Sequence, residues 1–220
     1  MNRIVEGLQQ VHLRIASAAL RGGRRPEDVT LIAVTKGFPP KAVREAFAAG
    51  IRNFGENRIQ EAQSKLPTLA DLAGVTWHMI GLLQTNKVKT AISLFDTIHS
   101  VDSFHLAEEI SRRSPRAVPI FLEVNISGEP TKFGIPLVDL PREHAAIARL
   151  TNLDVRGLMT VAPIAADGEA ARPHFRQLRE TAHSLGLREL SMGMTDDFEV
   201  AIEEGATHIR VGRAIFGERG

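Results

Sequence analysis

Short aliphatic or β-branched runs alternate eight times with amphipathic stretches along this 220-residue chain, and that alternation restricts the fold more than any single motif does. Strands are expected near residues 30–35, 51–55, 75–80, 95–100, 118–126, 153–160, 188–192 and 207–211. Between them, Pro39-Pro40 opens a helix that runs through Val43 and Phe47 to Gly50, and Ile59, Ala62, Leu66 and Leu69 form an apolar stripe. Ser103 caps a helix carrying Leu106 and Ile110, and Phe175, Leu178, Ala182 and Leu185 form a further stripe ending at Gly186. A parallel pair of strands needs a crossover that a helix fills, so this order implies a parallel sheet. Eight such units imply a single α/β domain over residues 1–220, a closed (β/α)8 TIM-type barrel, with a doubly wound open sheet as the alternative. Ile4, Leu8, Val11 and Ile15 predict an extra N-terminal helix stopped at Gly22-Gly23. The tail from 212 to 220 is too short for a full last helix, so the N-terminal helix is expected to close the ring beside it.

Composition removes several classes of function. Hydrophobic content of 43% and charged content of 24% are ordinary for a globular protein, and no apolar run approaches the roughly 20 residues that span a bilayer, so no membrane role is expected. The start carries Glu6 and lacks the apolar core of a secretory signal. Zero cysteines exclude a disulfide framework, a thiolate nucleophile and a Cys-built zinc site, and fit a cytoplasmic location. Lys+Arg of 27 against Asp+Glu of 26 leaves no electrostatic footprint for nucleic acid. The clusters Arg21, Arg24, Arg25 and Arg112, Arg113, Arg116 fall at predicted helix ends and read as solvated surface. No pair of histidines has a metal-binding spacing with a carboxylate, so no metal site is expected.

The chemistry of a barrel gathers at the C-terminal ends of its strands. The run Leu31-Ile32-Ala33-Val34 reads as a strand buried on both faces, which delivers Lys36 to its C-terminal end. Burial penalises the ammonium, and the neutral amine of a desolvated lysine attacks a carbonyl carbon to form a Schiff base. The alternative is a lysine whose stem is buried while its charge reaches water. The other strand ends supply Asn53 to Asn57, Trp77-His78-Met79-Ile80-Gly81, Glu123-Val124-Asn125 with Lys132 beyond it, Gly157-Leu158-Met159, Ser191-Met192-Gly193-Met194-Thr195 and Arg210-Val211-Gly212. The glycine-containing turns at Ser191 to Asp197 and at Gly212 suit a phosphate, although Asp196 and Asp197 also suit a helix cap. Arg210 cannot give up its proton, so a ring nitrogen facing it must accept a hydrogen bond; a salt bridge to Glu123 is the structural alternative. His78 reads equally as a general base or as a hydrogen-bonded structural histidine, and Met159 and Met194 as core filler.

Taken together, Ala33-Val34-Thr35-Lys36, Phe54-Gly55-Glu56-Asn57 with Gln60-Glu61, Trp77-His78-Met79-Ile80-Gly81 with Gln84 and Asn86-Lys87, Val124 to Glu129 with Lys132, Gly157-Leu158-Met159, Leu190 to Asp197 and Arg210-Val211-Gly212 resemble the pyridoxal phosphate homeostasis protein family. That family is similar to the barrel half of alanine racemase, a fold type III pyridoxal phosphate protein. The resemblance implies pyridoxal 5′-phosphate (PLP) as cofactor, held by Lys36 as a Schiff base. It implies Ser191, Gly193 and Gly212 around the phosphate, Arg210 at the pyridine nitrogen, and Asn57, His78 and Met159 lining the ring. Gly37-Phe38 stands where many relatives carry Thr-Lys, and Leu82 where a proline is common. The implied function is a binder that stores, buffers or transfers PLP without a catalytic residue, with PLP-dependent apoenzymes as recipients, in a monomer or weak homodimer. A weak amino-acid racemase using His78 as its second base is the alternative, since the chain has no tyrosine, and a Schiff-base aldolase acting on a sugar phosphate is a third reading.

Overall fold

The computed structural model describes residues 3–129, 131–163 and 167–218. Eight parallel strands close into a barrel: β1 (Thr30–Val34), β2 (Asn53–Glu56), β3 (Thr76–Met79), β4 (Thr97–Val101), β5 (Val118–Asn125), β7 (Leu153–Met159), β8 (Glu189–Ser191) and β9 (His208–Val211). The β4–β5 and β1–β9 pairings complete the ring, so the open-sheet alternative does not apply. A two-residue strand absent from the sequence reading, β6 (Ile135–Pro136), pairs with the end of β5. Helices α2 (Pro40–Ala48), α3 (Ile59–Lys65), α4 (Val88–Leu94), α5 (Phe104–Arg113), α6 (Leu140–Ile147), α7 (Arg172–Ser184) and α8 (Phe198–Glu203) occupy the crossovers. Pro67 turns the end of the α3 stripe into a short 3-10 segment, Leu66–Leu69, while Leu66 and Leu69 stay buried. Ser103 caps α5 by accepting from the Leu106 N–H at 3.3 Å.

The last helix, α9 (Arg213–Phe216), is a single turn. The N-terminal helix α1 (Arg3–Arg21) packs beside it and α8, burying Ile4, Leu8, Val11, Ile15, Ala18 and Ala19. Gly7 lets the two backbones meet, since a Cβ there would lie 2.7 Å from Ala214 O. Arg24 is half-buried rather than solvated, because it donates to Ile202 O at 3.1 Å and to Ala206 O at 2.7 Å and so ties α1 to the last crossover. No helix among the described residues is long and apolar enough to cross a membrane.

Successive strand residues alternate between the two faces of the barrel wall. One set, including Leu31, Ala33, Phe54, Ile98, Ile120, Leu122, Leu158, Leu190, Ile209 and Val211, joins the helices in a single apolar core. The other set points inward and is unusually polar: Asn53, His78, His99, Ser191, His208 and Arg210, with Ile32, Phe121 and Met159 packed among them. Glycine keeps neighbouring backbones close, and a Cβ at Gly157 would sit 1.8 Å from Glu189 O. Gly157→Ala is therefore expected to destabilise the barrel by at least about 3 kcal/mol, the upper range for overpacking, measured as a shift in the urea midpoint. An unchanged midpoint would mean that β7 and β8 are spaced more widely than described.

Candidate functional site

Lys36 stands two residues beyond β1, half-buried, at the edge of a cavity of about 490 Å³. The cavity is walled by Val34, Lys36, Asn57, Ile80, Val161, the turn Met194-Thr195-Asp196, and Arg210, Gly212 and Arg213. Of the eight residues expected at a binding site, Lys36, Asn57, Arg210 and Gly212 meet here. His78, Met159 and Ser191 are buried in the barrel interior. Gly193 turns with a φ of 91° against Ala201 and Phe198, a conformation that excludes larger residues on both counts.

Arg210 is the best-anchored group in the site. Only 4% exposed, it donates through Nη1 to Ser191 O (2.7 Å) and Ser191 Oγ (2.6 Å), and through Nη2 to Thr160 O (2.8 Å). The salt bridge to Glu123 considered from sequence is not formed, since two strand-end carbonyls take the guanidinium instead. Burial pulls Arg210 down to about 10, with Glu123 and Asp197 opposing, so it stays charged at neutral pH. Glu123 is raised to about 7, because burial outweighs the attraction of Arg210 and Asp102 adds repulsion.

Beneath Arg210 the polar interior continues as a chain. Ser191 Oγ lies 2.8 Å from His99 Nδ1, His99 Nε2 lies 3.0 Å from His78 Nδ1, and His78 Nε2 lies 3.0 Å from Asn53 Oδ1. His99 also stacks on Phe121 with centroids 4.3 Å apart. Burial is the first cause that lowers His78 to about 3, His208 to about 4 and His99 well below its ordinary value. His78 is thus neutral with both nitrogens engaged, which fits the structural reading of this residue better than the general-base one. His99 is a residue that the sequence reading missed, although a histidine two positions before Val101 in an apolar strand is a usable signal.

A second cluster, also missed, grips the backbone on either side of Lys36. Lys65, 5% exposed, donates to Thr35 O (2.8 Å), Glu56 Oε1 (2.9 Å) and Glu61 Oε1 (2.6 Å). Glu56 accepts from Thr35 Oγ1 at 2.6 Å, and Glu61 accepts from the Gly37 N–H at 2.7 Å. Burial raises Glu56, whereas Lys65 and the Gly37 N–H overcome burial and lower Glu61. Two buried side-chain oxygens lack a partner among the described residues, Glu56 Oε2 and Asn57 Oδ1. No group of histidines and carboxylates among the described residues has the arrangement of a metal site.

The alanine racemase N-terminal domain model matches residues 29–220. Across its full length the chain is 46% identical to the pyridoxal phosphate homeostasis protein of Pseudomonas aeruginosa, covering 97% of that relative. The Aquifex aeolicus protein of the same name is 42% identical, with 97% of each chain covered. The chain belongs to the pyridoxal phosphate homeostasis protein family. PipY of Synechococcus elongatus, solved with PLP bound, superposes with a TM-score of 0.86 at 40% identity, covering 97% of this chain and 100% of PipY. Alanine racemase from Corynebacterium glutamicum, at 16% identity and a TM-score of 0.71, shares the barrel fold; the chain covers 62% of it. The (β/α)8 architecture expected from sequence is thus common to this family and to the racemase.

The interior histidines give the fold a defined response to acid. Each binds a proton in the unfolded chain below about pH 6.5 and is kept neutral when folded, so its stability contribution is full above that value and is lost as pH falls towards 4. Glu123 acts in the opposite sense: its contribution is full below its ordinary carboxylate range and is lost as pH rises through about 7. Burial also raises Glu56, Glu189 and Asp197, which offsets part of the histidines' loss, but the shifts of the three histidines are the larger and set its sign below about pH 6.5. Urea midpoints should therefore fall steeply from pH 7 to pH 5, and a flat profile would place the histidines in solvent.

Proposed function

We propose that this chain holds PLP covalently on Lys36 and serves its storage, buffering or transfer rather than its turnover. The observation that carries the reading is the convergence of Lys36, Asn57, Arg210 and Gly212 on one cavity, in a chain 40% identical to a protein solved with PLP bound. The residues present suit this cofactor. The cavity volume of about 490 Å³ lies in the range of small-molecule sites. Its wall carries Lys36, Arg210 and Arg213 against the single carboxylate of Asp196, a balance that favours a phosphate dianion. Asn57 Oδ1, buried and without a partner, is an acceptor available to a ligand donor.

Bound PLP supplies an aldehyde carbon open to a lysine amine and a pyridine ring able to act as an electron sink. Lys36 provides the amine. Arg210 uses three of its five N–H donors on Ser191 and Thr160, which leaves Nε–H and one Nη2–H for a further acceptor, and a donor-only guanidinium is matched to an unprotonated ring nitrogen. Such a nitrogen makes the ring a weak electron sink, which favours retention over turnover. Gly193 and Gly212 bring side-chain-free backbone to the phosphate end, and Ser191, with its hydroxyl committed to Arg210 and His99, supports that end from beneath. His78 and Met159 serve as the packed wall under the ring. The racemase alternative needs a second base, and the chain has no tyrosine while His78 is neutral and fully engaged. Recipients of the cofactor would be PLP-dependent apoenzymes.

Lys36→Ala should abolish the borohydride-reducible adduct and its near-visible absorbance while leaving the circular dichroism spectrum unchanged, because a strand-end lysine adds little core burial. A reducible adduct retained in the variant, located by mass spectrometry at another lysine such as Lys132, would overturn the assignment. In deuterium oxide, the loaded wild-type protein should exchange the α-proton of alanine no faster than free PLP does. Faster exchange with inversion would establish a racemase.

A further inference from the structure

Arg213 and Asp196 enter the Lys36 cavity from different loops and pair with each other on its wall. Asp196 comes from the turn after β8, and Arg213 is the first residue of α9. Arg213 Nη2 donates to both Asp196 Oδ1 and Oδ2 at 2.5 Å, and Arg213 Nε lies 3.6 Å from Glu218 Oε1. The Arg213 side chain is 50% exposed and that of Asp196 75%. An ion pair this open to water contributes little to the fold and exchanges partners readily. Arg210 differs in kind: it is buried and fixed by carbonyl oxygens, so it cannot follow a ligand. Of the cavity's two guanidinium groups, Arg213 is the one that can move.

We infer that Arg213 is the specificity-determining cation for the phosphorylated form of the ligand, and that Asp196 is a competitor built into the site. Asp196 holds Arg213 when the phosphate is absent and reclaims it when the phosphate leaves. The inference rests on the reading that this cavity takes PLP. A phosphate with about two negative charges and three strong acceptor oxygens displaces a carboxylate from a guanidinium. The displaced carboxylate then stands near the phosphate and repels it. The pair therefore rejects an unphosphorylated analogue, which has nothing to draw Arg213 away, and it also limits how tightly the phosphorylated one is retained. A protein that hands its ligand on needs both properties.

The test uses the full-length protein and three probes, PLP, pyridoxal and inorganic phosphate, with dissociation constants from titration calorimetry. Arg213→Gln should weaken PLP about tenfold, the scale of one charge-assisted contact, weaken inorganic phosphate in parallel and leave pyridoxal unchanged. Asp196→Asn should tighten PLP several-fold and slow its transfer to an apoenzyme acceptor. In the double variant the gain from Asp196→Asn should vanish, because the competitor acts only through Arg213. An equal gain in both backgrounds would mean that Asp196 acts as a general negative charge, and an unchanged ratio of PLP to pyridoxal affinity in Arg213→Gln would mean that Arg213 does not read the phosphate; either result overturns the inference. Borohydride trapping on wild-type Lys36 separates the two failures. No adduct at Lys36 defeats the proposed function itself, whereas an adduct with unaltered selectivity defeats only the role of Arg213.

Discussion

A guanidinium buried inside a β-barrel can only donate, and the rest of the interior is arranged around that constraint. Arg210 is surrounded by acceptors: Ser191 O, Thr160 O and Ser191 Oγ. Because Ser191 Oγ accepts from Arg210, its own hydrogen is directed at His99 Nδ1. Neutral His99 then donates from Nε2 to His78 Nδ1, and neutral His78 donates from Nε2 to Asn53 Oδ1. The chain runs in one direction with each histidine held in one tautomer. A positive charge at one end and an amide oxygen at the other allow no second arrangement in which every group is satisfied. Burial is the first cause that keeps both neutral, and the charge that His208 would carry adds to it in each case.

The barrel tolerates this polar column because its stability comes from elsewhere. Residues of odd and even parity on each strand face different neighbours: Leu31, Ala33, Ile209 and Val211 contribute to the apolar layer under the helices, while Ile32 and Arg210, paired in register across β1 and β9, face inward. The helix layer holds the large apolar residues, including Phe54, Phe95, Phe175 and Phe198. Substitution inside the barrel therefore changes the site more than the wall. The same alternation carries Lys36, two positions beyond Val34, to the inner edge of the cavity.

Strands and helices were legible in the sequence because each is marked by several residues acting together. All eight barrel strands fall where the apolar runs place them, and Gly22, Gly50 and Gly186 end helices as their positions predict. The two-residue β6 was not legible, since Ile135-Pro136 has no period to detect. At the cavity, Lys36, Asn57, Arg210 and Gly212 follow from strand ends and family resemblance, but burial depth does not, and His78, Met159 and Ser191 lie deeper than the ring-lining and phosphate roles suggested. Lys65 escaped notice for a physical reason: Glu61 and Lys65 at i and i+4 match an ordinary solvated helix pair, and nothing local reveals that Glu56 and Thr35 O approach from a neighbouring strand and loop. Arg213 escaped for a related reason, and Asp196 was legible only as part of a phosphate turn or a helix cap, because their pairing exists only where the two loops meet.

Lys36 and Lys65 show how one side-chain type is given opposite tasks within a few residues' reach. Lys65 Nζ donates to two carboxylates and a carbonyl, so all three of its donor positions are taken and its charge is compensated. An ammonium held in that way has no lone pair to offer an electrophile. Its partners, however, are the groups that fix Thr35 and Gly37: the Thr35 carbonyl and hydroxyl on one side of Lys36, and the Gly37 N–H on the other. With both flanking residues tied to a buried ion cluster, the Lys36 backbone is set while its side chain enters the cavity. Breaking a buried cluster of this kind by removing one partner leaves uncompensated charge, so Lys65 acts through the position it gives its neighbour rather than through any reactivity of its own.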